Sequence, residues 1–252
     1  MNSDLVIEAI GLPRDAMVGQ RVPKTLLVEN GAPTAADKRL INEGVEELRW
    51  VAALKPTTIG IAAFEDKTRQ VVELAVLSLE FRGGSKVARL FELIHRAIPY
   101  HLMLIASDVK GTPIISCADK RWSQNEGGKV VLDGEVVSSD LSEHTPAIQT
   151  ELLTALGLAR SPHATLYELY RSWIDALLAA EASRVTGTYS APESPERAAA
   201  RQQALALCTS LEAEMTSIRS AAAKEKQLAR QVDLNLKLKS LQTKYAEARQ
   251  SL

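Results

Sequence analysis

Cysteine, aromatic side chains and long apolar runs are all scarce in this chain. Its 252 residues hold two cysteines, Cys117 and Cys208, far apart in sequence. No disulfide framework follows, and a reducing compartment fits. Aromatics make up 4% of the residues, so the core must come from Leu, Val, Ala and Ile, and a hydrophobic content of 46% is enough to build one. No apolar stretch reaches membrane-spanning length. The N-terminus lacks a basic segment followed by an apolar run, so no signal peptide and no membrane association are expected, and the expected location is cytoplasmic. A net charge of -1 gives no whole-chain reason to expect nucleic acid. Only the tail departs from balance: residues 193–252 carry 10 basic and 7 acidic side chains.

The usual signatures of chemistry are missing too. The histidines are His95, His101, His144 and His163, and no pair has zinc-site spacing. Gly83-Gly84 is followed by no Gly-Lys-Ser/Thr, so it is not a phosphate loop, and Gly-x-Ser-x-Gly is absent. Neither a metal nor a cofactor is expected. Glu73 and Glu80 on one strand would suit a divergent metal-dependent nuclease. That chemistry wants a lysine two residues after an acid, and none follows either glutamate. Rim carboxylates are the plainer account.

What is present is an architecture. Val87, Leu90, Phe91, Ile94 and Ile98 fall at helical spacing, after a turn at Gly83-Gly84 and an N-cap at Ser85. Pro99 stops that helix, and His101 to Ala106 follows as an apolar strand of the kind covered on both faces. Val71 to Phe81 supplies the strand before it. Upstream, Asp4 to Leu12 reads as a short helix, and Asn30-Gly31 as a turn. Thr34 caps a second helix lined by Leu40, Ile41, Val45 and Leu48. Trp50 to Leu54 and Thr57 to Ala62 read as extended segments. Downstream, a Lys110-Gly111 turn leads into a strand over 112–118, and a loop with Lys120, Arg121 and Trp122 leads to Lys129–Val137. The expectation is an α/β (α+β) domain over 1–145 with a mixed sheet of about five strands, then a helical extension over 146–185. A linker rich in Gly, Ser, Thr and Pro follows over 186–196.

Residues 197–252 show two heptad-like seams. Ala204, Cys208, Leu211, Met215, Ile218 and Ala222 form one; Leu234, Leu238, Leu241, Tyr245, Ala248 and Leu252 form the other. They are out of phase, since the first carried forward lands on Glu225, Ala229, Val232, Leu236 and Lys239. Two helices folding back between Ala223 and Asp233 account for this. One long helix pairing with a second copy, giving a homodimer, is the alternative.

The surface residues that could meet a partner or a nucleic acid are Lys24, Lys55, Tyr100, Lys120, Arg121 and Trp122 in the first part. Lys224, Lys226 and Arg230 join them in the tail. A cation pair beside Trp122 could grip a phosphate backbone and stack a base, or lie as a solvated loop. Tyr100 and His101, where the apolar strand begins, suit a ligand-facing pair or ordinary packing.

The segments VPKTLLVENG, DKRLI, LKPTTIGI, IHRAIPYHLMLI, LYELYRSWIDAL and EKQLARQVDLNLKLKSL, in that order, resemble an uncharacterised bacterial domain-of-unknown-function family across nearly the whole chain. The resemblance implies a gene neighbourhood with SNF2-type helicases and DNA methyltransferases, in restriction-like or phage-defence systems. It assigns no activity to any residue. The resulting expectation is a non-enzymatic accessory protein docking on a larger partner, a helicase or a DNA methyltransferase, through its C-terminal helices. A nucleic-acid-binding module is the alternative.

Overall fold

A computed structural model describes residues 3–83, 86–108, 111–124, 126–162, 164–192 and 194–252. The proposed cap Ser85 and turn residue Lys110 lie outside them. The chain divides into two compact units, 1–180 and 181–252.

In the first unit, helix α1 (Ser3–Ile10) ends at Gly11, whose φ of 71° gives the left-handed stop that a Cβ would disfavour. Strand β1 (Met17–Arg21) leads to helix α2 (Lys24–Gly31) and helix α3 (Ala35–Gly44). Pro23 precedes α2 in extended geometry, and the Thr34 hydroxyl accepts from the Asp37 amide at 3.1 Å to cap α3. Strand β2 (Val45–Leu54) follows at once, so Val45 and Leu48 belong to a strand and not to the helix their spacing suggested. Thr57–Ala62 is not extended either. Pro56 starts a one-turn helix, α4 (Pro56–Ile59), locked by the Lys55 amide donating to the Thr58 hydroxyl at 2.9 Å.

A small hairpin, β3 (Phe64–Glu65) and β4 (Gln70–Val71), precedes β5 (Leu74–Phe81). Helix α5 (Val87–Ala97) and strand β6 (His101–Ser107) come next, then β7 (Pro113–Cys117). A second small hairpin is β8 (Lys120–Trp122) with β9 (Val130–Leu132), and β10 (Val137–Asp140) completes the set. Six strands, not five, make the main sheet, in the order β1-β2-β5-β6-β7-β10. The pairs are antiparallel except β5 with β6, which run parallel from Leu74↔His101 to Glu80↔Ser107. That parallel step is why a helix, α5, must intervene.

One face of the sheet is covered by α2, α3 and α5. Leu27, Ile41, Leu90, Phe91 and Ile94 pack there on Leu48, Leu77, Leu79, Leu102 and Leu104. Helix α1 packs on β6 and on α6 (Pro146–Leu156), which is followed by α7 (Leu166–Thr186). Residues 101–106 are buried without exception, and burial from both sides explains the apolar run over Leu102–Ala106. Asp37 and Arg89 tie α3 to α5 through a two-pronged pair, Nε to Oδ1 at 2.9 Å and Nη2 to Oδ2 at 3.0 Å.

In the second unit, α8 (Pro195–Lys224) and α9 (Leu228–Arg249) pack along each other. Gln231 reaches the Ala222 carbonyl, Lys237 pairs with Glu214 at 2.9 Å, Tyr245 donates to Glu212 at 2.7 Å, and Arg201 reaches the Leu252 carbonyl. Leu211, Met215, Ile218 and Leu241 are buried between them, with Leu234, Leu238 and Tyr245 packed alongside. Between the helices, the Glu225 carboxylate accepts from the amides of Lys226 and Gln227, both at 2.8 Å. A side chain thus satisfies the turn without glycine or proline.

The Asn30-Gly31 pair ends α2 and makes no left-handed turn. Glycine is needed there for room: a Cβ on Gly31 would lie 2.4 Å from the Leu93 carbonyl and 2.9 Å from Ala97 Cβ on α5. Gly31→Ala is therefore expected to lower stability by about 1–3 kcal/mol, read from the urea midpoint at unchanged slope.

Candidate functional site

A cluster of charged side chains with little solvent sits where β6 starts and β7 turns into β8. Three local structures build it. An Asx turn at Asp66, whose Oδ1 accepts from the amides of Thr68 and Arg69 at 2.7 and 2.8 Å, aims Arg69 off the β3–β4 hairpin. The first turn of α7 brings Tyr167, and the parallel register of β5 and β6 places His101 at the edge. All three meet Asp119. Arg69 Nη1 lies 2.5 Å from Asp119 Oδ2, the Tyr167 hydroxyl donates to the same oxygen at 2.8 Å, and His101 Nε2 stands 3.1 Å from Oδ1. Arg69 also pairs with Asp133 at 2.9 Å and lies 4.8 Å from the centre of the Tyr167 ring.

Burial by itself would raise the Asp119 pKa. The His101 and Tyr167 hydrogen bonds and the Arg69 cation outweigh it and hold the carboxyl at about 2. Burial lowers the His101 pKa, with Asp119 opposing, so the ring is neutral near pH 7. Its Nε2 then carries the proton that Asp119 accepts. A neutral histidine held by a carboxylate is how a general base is oriented. The neighbouring thiol, Cys117, is fully buried and its pKa is pushed up by desolvation, so it is no thiolate. The cluster fastens segments together by satisfying its own charges.

Lys120 is the largest departure from the sequence reading. The basic loop expected to grip a polyanion is strand β8, and the Lys120 side chain runs inward from it, 1% exposed. Its ammonium donates to the carbonyls of His95 at 2.7 Å, Tyr100 at 2.6 Å and Ile98. These carbonyls lie at and just beyond the C-terminus of α5, where the helix leaves acceptors without partners. Burial pulls the Lys120 pKa down to about 7. The three carbonyls act against that, because only the ammonium form has three protons to give. Lys120 is a cap on α5, and its charge is not at the surface to meet a phosphate.

The other expected contact residues are dispersed and engaged. Lys24 donates to the Asn42 carbonyl at 3.2 Å, and Lys55 pairs with Glu73 at 3.2 Å. Tyr100 stacks edge-to-face on Trp50 at 5.8 Å. Arg121 reaches Asp133 at 3.3 Å and the Trp122 carbonyl at 3.1 Å, while the Trp122 amide donates to Thr68. Glu73 thus has a lysine partner, and Glu80 lies at the far end of β5, about 20 Å further on at strand rise, so the two carboxylates do not converge. Among the described residues, no group of three or more His, Cys, Asp or Glu is placed to hold a metal ion. Lys224, Lys226 and Arg230 are exposed, around the turn between α8 and α9. Beside the cap lies an open cleft of about 430 Å³ lined by Asn30, His95, Arg96, Lys120 and Lys129. His95 Nε2 lies 3.1 Å from the Ser116 hydroxyl.

A family model described as a domain of unknown function, DUF4391, matches residues 10–244. The chain belongs to the DUF4391 family. No curated protein and no solved structure matches it. The match covers both units of this DUF4391 chain, so the C-terminal helices belong to the family unit as much as the sheet does. Nothing in the sequence marks Arg69, Asp119, Asp133 and Tyr167 as a group. The one local signal was the Asp-x-Thr-Arg turn at residues 66–69, which marks a fixed hairpin tip and not what the arginine reaches.

Two outcomes follow for the DUF4391 chain. Asp119→Asn leaves Arg69 with Asp133 as its one carboxylate and is expected to cost about 1–3 kcal/mol in urea unfolding. The folded pKa of about 2 lies below the free-chain value of 3.8. The carboxylate's contribution is therefore full above pH 3.8 and lost as pH falls through about 2, and the gap between wild type and variant should narrow over that window. Lys120→Met leaves three carbonyls with no donor and is expected to cost about 2 kcal/mol or more, with faster amide exchange at the C-terminal turn of α5.

Proposed function

We propose that this DUF4391 chain is a non-enzymatic accessory protein of a bacterial DNA-targeting system, and that it docks on a larger partner through its C-terminal helices. The observation that carries the reading is the make-up of residues 181–252. They form a compact unit, and α8 and α9 bury one seam between themselves. We read them as a hairpin folded within one chain. With that seam closed, Leu228, Val232 and Leu236 on α9 still face water. A helix pair that has satisfied its own core and carries further apolar side chains suits helix-in-groove docking. The setting, beside an SNF2-type helicase or a DNA methyltransferase, comes from the family resemblance of the sequence. The sheet unit acts as scaffold, its charged cluster being paired within itself.

A second reading, a nucleic-acid-binding module, rests on exposed Lys224, Lys226 and Arg230 alone, since Lys120 is turned inward.

The test is co-purification from the native host, comparing the full chain with one ending at Ser194, with nuclease added to the eluate. A helicase or methyltransferase that is retained by the full chain only, and survives nuclease, is the expected result. Enrichment of nucleic acid alone, or loss of the proteins on nuclease treatment, would overturn docking in favour of the second reading.

A further inference from the structure

We infer that Ser190 is a phosphorylation site, and that Arg201 on α8 is placed to receive its phosphate. The inference goes beyond the docking reading and stands without it.

The starting point is a buried cation. Arg201 is 8% exposed. Its Nε donates to the Leu252 carbonyl at 3.2 Å, its Nη1 to the Ser190 carbonyl at 2.6 Å and its Nη2 to the Ser190 hydroxyl at 3.0 Å. Among the described residues, no side-chain carboxylate lies within salt-bridge distance of it. Arg69 and Arg89, by contrast, meet carboxylates: Asp119 and Asp133 for the first, Asp37 and Glu92 for the second. A guanidinium out of water is stabilised most by an anion. Both Nη groups of Arg201 are instead turned to one serine.

That serine is open to an enzyme. Ser190 is exposed, and residues 187–192 lie in neither helix nor strand, between the end of α7 at Thr186 and the start of α8 at Pro195. The Ser190 hydroxyl accepts from Arg201 and donates to no described residue, so its proton is free to leave. Two neighbouring hydroxyls are engaged: Thr186 donates to the Ala182 carbonyl at 3.1 Å, and Ser194 accepts from the Arg197 amide at 3.3 Å to cap α8.

The step is phosphoryl transfer by a protein kinase from a nucleoside triphosphate. The bond from Ser190 Oγ to the γ-phosphorus forms and the bond from that phosphorus to the β–γ bridging oxygen breaks. The nucleoside diphosphate leaves, and the hydroxyl proton passes to a base of the kinase. The product carries a charge of about -2 and three acceptor oxygens beside the atom that Nη2 already bonds. Arg197, four residues before Arg201, lies on the same face of α8 and brings a second cation one turn away. A new arginine–phosphate pair fastens residues 188–192 to α8, the way a phosphate orders a segment.

Two experiments on the full chain test this. Chain purified from the native host with phosphatase inhibitors is expected to carry phosphate on Ser190 by peptide mass spectrometry. Phosphate absent from Ser190, or found on Thr188 or Tyr189 instead, would overturn the inference. In the second, phosphoserine is installed at position 190 during synthesis and titrated by phosphorus NMR. Pairing with Arg201 is expected to pull the second phosphate pKa from its ordinary ~6 to below about 5.5, and to slow amide exchange over residues 188–191 at least ~5-fold. Arg201→Lys, which keeps the cation without the fork, should weaken both effects, and Arg201→Gln should remove them. A phosphate titrating near ~6 in the otherwise unaltered chain would overturn the inference whether or not the variants fold. So would the same exchange protection in unmodified chain given inorganic phosphate alone, which would make Arg201 a site for free anions.

Discussion

The Asp119 carboxylate is a buried charge, and keeping it ionised sets the positions of four segments at once. A carboxylate out of water is unfavourable unless cations and donors surround it. Here they arrive from the β3–β4 hairpin as Arg69, from the start of β6 as His101, and from the first turn of α7 as Tyr167. Asp133, next to β9, takes the other side of Arg69. The hairpin that carries Arg69 has little ladder of its own, since β3 and β4 are two residues each. Pairing is what specifies their arrangement against the sheet.

Lys120, one residue on, makes the complementary bargain with opposite sign. Helix α5 is stopped by Pro99, which leaves carbonyls at its end facing the interior. A buried ammonium supplies the missing donors. Asp119 and Lys120 therefore share one corner yet serve different elements, the carboxylate binding hairpin and helix to the sheet edge and the ammonium closing the helix-to-strand turn. This corner is where the sequence was most misleading. Lys-Arg-Trp in a polar stretch carries the composition of a surface loop, and composition has no record of which carbonyls are left over twenty residues upstream. The strand–helix–strand order around Pro99 was legible because apolar period and a proline are local signals; the parallel pairing of its strands was not. The two C-terminal seams were legible too. The boundary at Gly44 was not, because Val45 and Leu48 fit a helical stripe continuing from Ile41 and a strand beginning at 45 equally well. The small hairpins that carry Arg69 and Asp133 are too short for any periodicity.

The C-terminal unit shows how a phase shift in a heptad pattern becomes a surface. The first seam, continued past the turn, falls on Val232 and Leu236, and a single unbroken helix would bury them in the same stripe. With the helix interrupted at residues 225–227, α9 packs on α8 with Leu234 and Leu238 instead. The residues of the abandoned phase are left outside. The out-of-phase seams and the exposed stripe are thus one fact, and the proposed docking rests on it.

Hydrogen exchange on the full chain, alone and with its co-purified partner, tests that docking most directly. The account predicts added protection over residues 228–239, with the amides of β8 and the Asn30–His95 cleft unchanged. Protection at β8 and the cleft with residues 228–239 unaltered would contradict it, and would move the working surface of the protein to the corner at Asp119 and Lys120.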